Sequence, residues 1–108
     1  MQKNNLSEEL PAQPLKDEQF KLLLSKGGVR IERIVSLGQA TPKGEWLEQS
    51  DDEWVLLVQG KAQILFEDGT VLDLSTGDYL FIPALQKHRV EWTDSDNFCI
   101  WVAVHIGN

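Results

Sequence analysis

From Trp46 onward, turn residues punctuate the chain so often that only short strands fit between them. Residues 53–59, 61–66, 70–74, 79–82, 89–93 and 98–106 are rich in β-branched, aromatic and leucine side chains, while Gly60, Asp68-Gly69, Gly77, Pro83 and the Asp94–Asn97 stretch separate them. The run Glu67-Asp68-Gly69 predicts a hairpin between 61–66 and 70–74, because Asp-Gly accepts the positive φ values of a tight turn. Upstream, residues 29–36 (VRIERIVS) read as a further strand whose Ile34 and Val35 break the alternation, so both of its faces are expected to be covered. About seven strands at close spacing, with no long crossover, imply an all-β antiparallel sandwich or barrel.

The N-terminal part reads differently. Residues 1–15 include Pro11 and Pro14, carry no period, and are expected to form an extended or poorly ordered lead-in to a single domain over 16–108. Residues 16–26 begin at Lys16 with Asp17 and Glu18 close behind, continue through Phe20 and Leu22-Leu23-Leu24, and end at Lys26 before Gly27-Gly28. Acid first, base last and glycine just beyond predict one short helix, with Phe20, Leu23 and Leu24 turned toward the barrel as an edge cover.

Charge narrows the function. The formal net charge of −7 repels phosphate backbones and anionic lipid surfaces, so neither nucleic acid nor a membrane is an expected partner. The polar start, MQKNNLSEEL, has no apolar core of a signal peptide, and no run approaches a membrane span, so the expectation is a cytoplasmic protein. Cys99 has no second cysteine to pair with and reads as a small buried hydrophobe.

Two stretches carry the chemistry. In GDYLFIPALQKH, residues 77–88, Gly77 and Asp78 suit an entry turn, Pro83 stops sheet pairing, and His88 follows where the chain re-enters a strand. In the other, Gly44 stands upstream of Glu53 and Gly60 follows Glu53. These two stretches resemble the two motifs of the cupin family. With three residues before Glu53, the family's two first-motif histidines fall on Leu47 and Gln49; the other register would place them on Trp46 and Glu48. In the second motif Leu85 stands where the family often has glycine and Trp92 where it often has asparagine. The resemblance implies a cupin-type jelly-roll β-barrel with a site at Glu53 and His88.

If Glu53 points into the barrel, as the resemblance implies, Val55 and Leu57 follow it inward by strand parity, and His88, Val90 and Trp92 share a face. The resemblance implies a metal site built from Gln49, Glu53 and His88, with His105 on the last strand as a fourth ligand if its face lines the barrel. An imidazole with oxygen donors suits Mn, Fe, Ni or Zn. The other reading is a hydrogen-bonded polar cluster, in which His88 and Glu53, the catalytic candidates, transfer a proton without a metal. Leu47 and Trp92 would wall the pocket. Lys87 and Arg89 flank His88, and Glu45, Glu48, Asp51 and Asp52 read as a solvated rim.

The expected function is therefore binding of a small polar molecule in the barrel, with a divalent metal as an optional cofactor. The alternatives are a metal-dependent oxygenase, isomerase or lyase, and a structural barrel without ligand; turnover stays open. Trp54, Leu56 and Val58 form an outward apolar stripe, which predicts a two-fold homodimer.

Overall fold

The computed structural model describes residues 1–107. Eight strands make up the fold: β1 (Gln19–Lys26), β2 (Val29–Ser36), β3 (Asp52–Gln59), β4 (Lys61–Phe66), β5 (Val71–Ser75), β6 (Tyr79–Ile82), β7 (His88–Thr93) and β8 (Cys99–Ile106). They form a five-stranded sheet in the order β1-β2-β8-β3-β6 and a three-stranded sheet in the order β5-β4-β7, every pairing antiparallel. The expected closed barrel is thus two facing sheets, and no hydrogen-bonded strand pair joins them into one cylinder among the described residues. The chain crosses between them at corners. Gly60 alone separates β3 of one sheet from β4 of the other.

The predicted N-terminal helix is a strand. Phe20, Leu22 and the cross-strand partners Ile34 and Glu32 keep period two, and Gly27-Gly28, at φ +57° and +81°, closes a two-residue hairpin to β2. A bulge inserts Leu23 between Leu22, opposite Glu32, and Leu24, opposite Ile31. That extra residue reverses the faces beyond it, so Phe20 reaches the cavity between the sheets and Leu23 and Leu24 do not. No helix occurs among the described residues, and so none long and apolar enough to cross a membrane.

The core lies between the sheets, where Val55, Leu57, Trp101 and Ala103 of the larger sheet meet Ala62, Ile64 and Leu74 of the smaller. Each fully buried large side chain there contributes about 1.5–3 kcal/mol by leaving water. Residues 1–15 contain no strand, and Arg33, buried on the outer face, holds them by donating to the carbonyls of Leu6, Glu8 and Glu9 while also bonding Gln19. Val35 and Ile100, paired neighbours of Arg33's strand region, are buried on that same outer face.

Candidate functional site

A cavity of about 370 Å³ opens between the sheets, walled in part by the core residues Val55, Ile64, Ile82 and Trp101. Three contacts build it by tying residues 47–52 to residues 84–88. Leu47 and His88 exchange hydrogen bonds of 2.7 and 3.1 Å, the Leu85 amide donates to the Gln49 carbonyl at 2.8 Å, and the Ala84 amide donates to Asp52 Oδ1 at 2.8 Å. The turn that makes this possible needs a left-handed residue. Leu85 fills it at φ +66°, at the place where glycine would be unstrained.

Gln49 Nε2 donates to Glu53 Oε1 at 3.0 Å, and His88 Nε2 lies 3.8 Å from the same oxygen. His88 Nδ1 lies 2.9 Å from the Gln86 carbonyl, an acceptor only, so it carries the proton and donates. In the neutral ring Nε2 is then the free lone pair facing Glu53. At 3.8 Å the two share no hydrogen bond, and closing to hydrogen-bond reach is what a proton transfer between them would require. Glu53 is buried, and burial raises its carboxyl above its ordinary value; the positive charge available to His105 and His88 opposes that rise, and Glu32 adds to it.

A second pair stands beside the first. Across the β3–β8 ladder Glu53 faces His105, whose Nε2 lies 2.8 Å from Glu32 Oε1. Glu32, Glu53, His88 and His105 all line the cavity, with Phe20, Ile34, Val55, Ile82 and Trp101 supplying apolar wall.

Of the residues marked out by sequence, Gln49, Glu53, His88, Leu47 and His105 line the cavity, which fits the register with Leu47 and Gln49 in the histidine places. Trp92 does not. A bulge at Glu91 leaves that residue unpaired between Val90, opposite Ile64, and Trp92, opposite Gln63, so the parity that should have carried Trp92 inward points Thr93 in instead. Lys87 lies by Glu67, and Arg89 donates to the carbonyls of Thr41, Pro42 and Glu45, fastening the loop at the cavity mouth.

Glu18, Phe20 and Glu32 were absent from the sequence reading of the site. The signal for Glu32 was a carboxylate set between covered positions of β2, but its partner His105 lies 73 residues away and only the sheet register joins them.

A divalent ion is what the motifs imply, and the donors present do not fit one. Leu47 has no donor, Gln49 presents its amide nitrogen to Glu53, and His105 has committed Nε2 to Glu32. Among the described residues no three His, Cys, Asp or Glu side chains converge as ligands.

The cupin domain family model matches residues 33–105, which include every strand from β3 to β7 and all of the second motif. A crystal structure from Ralstonia eutropha JMP134, named as a candidate mannose-6-phosphate isomerase, is 40% identical and superposes with a TM-score of 0.94 over 100% of both chains. Two more distant structures share the fold. A cupin superfamily protein from Desulfitobacterium hafniense DCB-2 is 20% identical with a TM-score of 0.73 over 100% of both chains. A protein from Thermus thermophilus is 16% identical with a TM-score of 0.80, over 99% of this chain and 98% of that one. No curated protein matches the chain. Its motif spacing, its two-sheet jelly roll and these likenesses agree, and the chain belongs to the cupin family.

Proposed function

We propose that this cupin binds a small organic molecule between its two sheets without a tightly held metal, and that the His88–Glu53 pair exchanges a proton with it. The observation that carries this reading is the cavity of about 370 Å³ in which buried His88 and Glu53, and buried His105 with half-buried Glu32, meet an apolar wall. A volume of that order suits a small metabolite, and a few placed polar groups on an apolar lining are what orient one.

The test is a titration of labelled protein with a panel of small organic molecules, following the Gln49, Glu53, His88 and His105 resonances. His88→Ala and Glu53→Gln are each expected to weaken whatever binds while leaving the fold intact. Wild-type affinity in both variants for every binder would remove the site assignment. Metal content after chelator-free purification is the companion measurement. Near-stoichiometric Mn, Fe, Ni or Zn, lost in His88→Ala, would replace the metal-free reading with the metal-dependent one.

The Ralstonia relative's name raises an isomerase reading, while a cavity lined by no lysine or arginine among the described residues speaks against a phosphorylated sugar. A coupled assay with mannose 6-phosphate tests it, turnover abolished by Glu53→Gln being the supporting result. As partner we propose a second copy of this chain. The outer face of the larger sheet presents the cross-strand row Leu24, Ile31, Val104, Trp54 and Phe81, which carries no charge and so matches an identical row. A cytoplasmic location is also our proposal, since the lone buried thiol of Cys99 suits a reducing compartment.

A further inference from the structure

Resting on the binding reading above, we infer that the cavity selects organic cations, small molecules bearing a protonated amine, over neutral and anionic ones. The first observation is the sign of its wall. Glu18, Glu32, Glu48 and Glu53 line it with His88 and His105, and no lysine or arginine among the described residues does. Even with both imidazoles protonated and Glu53 neutral, ionised Glu18, Glu32 and Glu48 leave the wall with a net negative charge.

Most basic groups nearby are engaged elsewhere, and Lys43, next to Pro42 in the mouth loop, does not line the cavity. Arg89 is spent on loop carbonyls and Glu91, Lys87 lies by Glu67, Arg30 by Asp51, and Arg33 sits on the opposite face of its sheet. A phosphate or carboxylate entering the cavity would therefore lose its water and gain no lysine or arginine partner. An ammonium entering it would find carboxylates on several sides.

The second observation is independent of charge. Trp101 and His105 line the cavity at 4% and 5% exposure, and Trp101 Nε1 and His105 Nδ1 are buried with no hydrogen-bond partner among the described residues. Buried polar atoms in folded proteins are nearly always partnered; Arg33 Nε on the outer face is a third without a partner, and the two on cavity-lining residues are those to which a bound molecule could supply one. Their chemistry states which atoms. Nε2 of His105 faces a carboxylate oxygen of Glu32 and must donate to it, so Nδ1 of the neutral ring is an acceptor. It suits an N–H of an amine. Trp101 Nε1 only donates, and suits a hydroxyl or carbonyl oxygen on the same molecule. The ligand class is an amine with an oxygen acceptor and an apolar body, the body resting on Phe20, Ile34, Val55 and Ile82.

The experiment uses three probes of one shape and different charge: benzylammonium, benzyl alcohol and benzoate. Each is titrated into the full chain at pH 7 while the Trp101 indole N–H and the His105 ring are followed by NMR. The expected order is benzylammonium first, benzyl alcohol at least about tenfold weaker, and benzoate without measurable binding. Glu32→Gln, which keeps the side-chain shape, is expected to weaken benzylammonium about tenfold and benzyl alcohol less, so that the preference between the two narrows. Glu48→Lys at the exposed mouth is expected to raise benzoate affinity. Benzyl alcohol or benzoate binding at those signals as tightly as benzylammonium would overturn cation selection and leave small-molecule binding standing. Silence at those signals from all three would overturn both.

Discussion

Replacing Gly60 by alanine tests the claim that the glycine closing the first motif serves packing and not the site. Gly60 turns the chain from β3 into β4 at φ +110°, and a Cβ there would lie 2.8 Å from Cys99 Sγ, 2.9 Å from Cys99 Cα and 3.1 Å from the Phe98 carbonyl oxygen. Two of those three atoms are backbone, so no rotamer change relieves the contact. Left-handed backbone costs an alanine about 1–2 kcal/mol. Pressing a methyl into packed surroundings adds about 1–3 kcal/mol. The loss of chain freedom in the unfolded state returns about 0.4–1 kcal/mol. The expected net destabilisation is about 2–4 kcal/mol, a large share of the ~5–15 kcal/mol typical of a domain this size. Gly69→Ala is the control. Gly69 has φ +93° but nothing within 4 Å of the added Cβ, so it carries the backbone strain alone. Urea denaturation followed by circular dichroism should place Gly60→Ala about 1–3 kcal/mol below Gly69→Ala. Cys99→Ala in the Gly60→Ala background should recover only the sulfur's part of the difference. If the two glycine variants agree within about 0.5 kcal/mol, the corner is looser than the distances imply and the packing argument is wrong.

The raised carboxyl of Glu53 has a pH signature. Its folded state holds the proton more tightly than the unfolded chain does, so its contribution to stability is full below the ordinary carboxylate range and is lost as pH rises through the raised value. Glu53→Gln should flatten that fall; denaturant midpoints measured from pH 4 to pH 8 that drop as steeply in the variant as in wild type would refute it. Leu85 is held at φ +66° with an exposed side chain, so Leu85→Gly should leave stability unchanged within about 0.5 kcal/mol, whereas β-branched Leu85→Val should lower it by about 1 kcal/mol. Melting curves of the pair decide it, and equal stabilities would refute the strain assignment. Phe81→Glu places a charge in the row proposed to meet a second copy, and sedimentation velocity should show wild-type dimer and variant monomer; wild-type protein that sediments as a monomer at all concentrations would sink the dimer proposal.

The strands of the two motifs were legible because their alternation is local and their turns are spelled out. Residues 61–66 and 79–82 coincide with β4 and β6, and Asp68-Gly69 closes the β4–β5 hairpin. The failures have one physical origin. Leu22-Leu23-Leu24 looks helical because Leu23 is a bulge residue that breaks period two, and Trp92 was assigned to the wrong face because Glu91 is another. A bulge has no fixed residue type, and each one inverts every parity argument beyond it. Gln49, Glu53 and His88 were found because their places in the motifs are fixed by spacing. Glu32 could not be, since it joins His105 only through the register of β2 on β8.

The tryptophans are distributed in a way that equips the protein with its own optical reporter. Trp46 and Trp92 are exposed and Trp54 is half-buried on the outer face, while Trp101 alone is buried and lines the cavity. With the other three changed to phenylalanine, the remaining emission would come from an indole shielded from bulk water whose N–H has no protein partner among the described residues. Its colour would then respond to whatever occupies the cavity, so that ligand arrival and departure could be timed without attaching a dye.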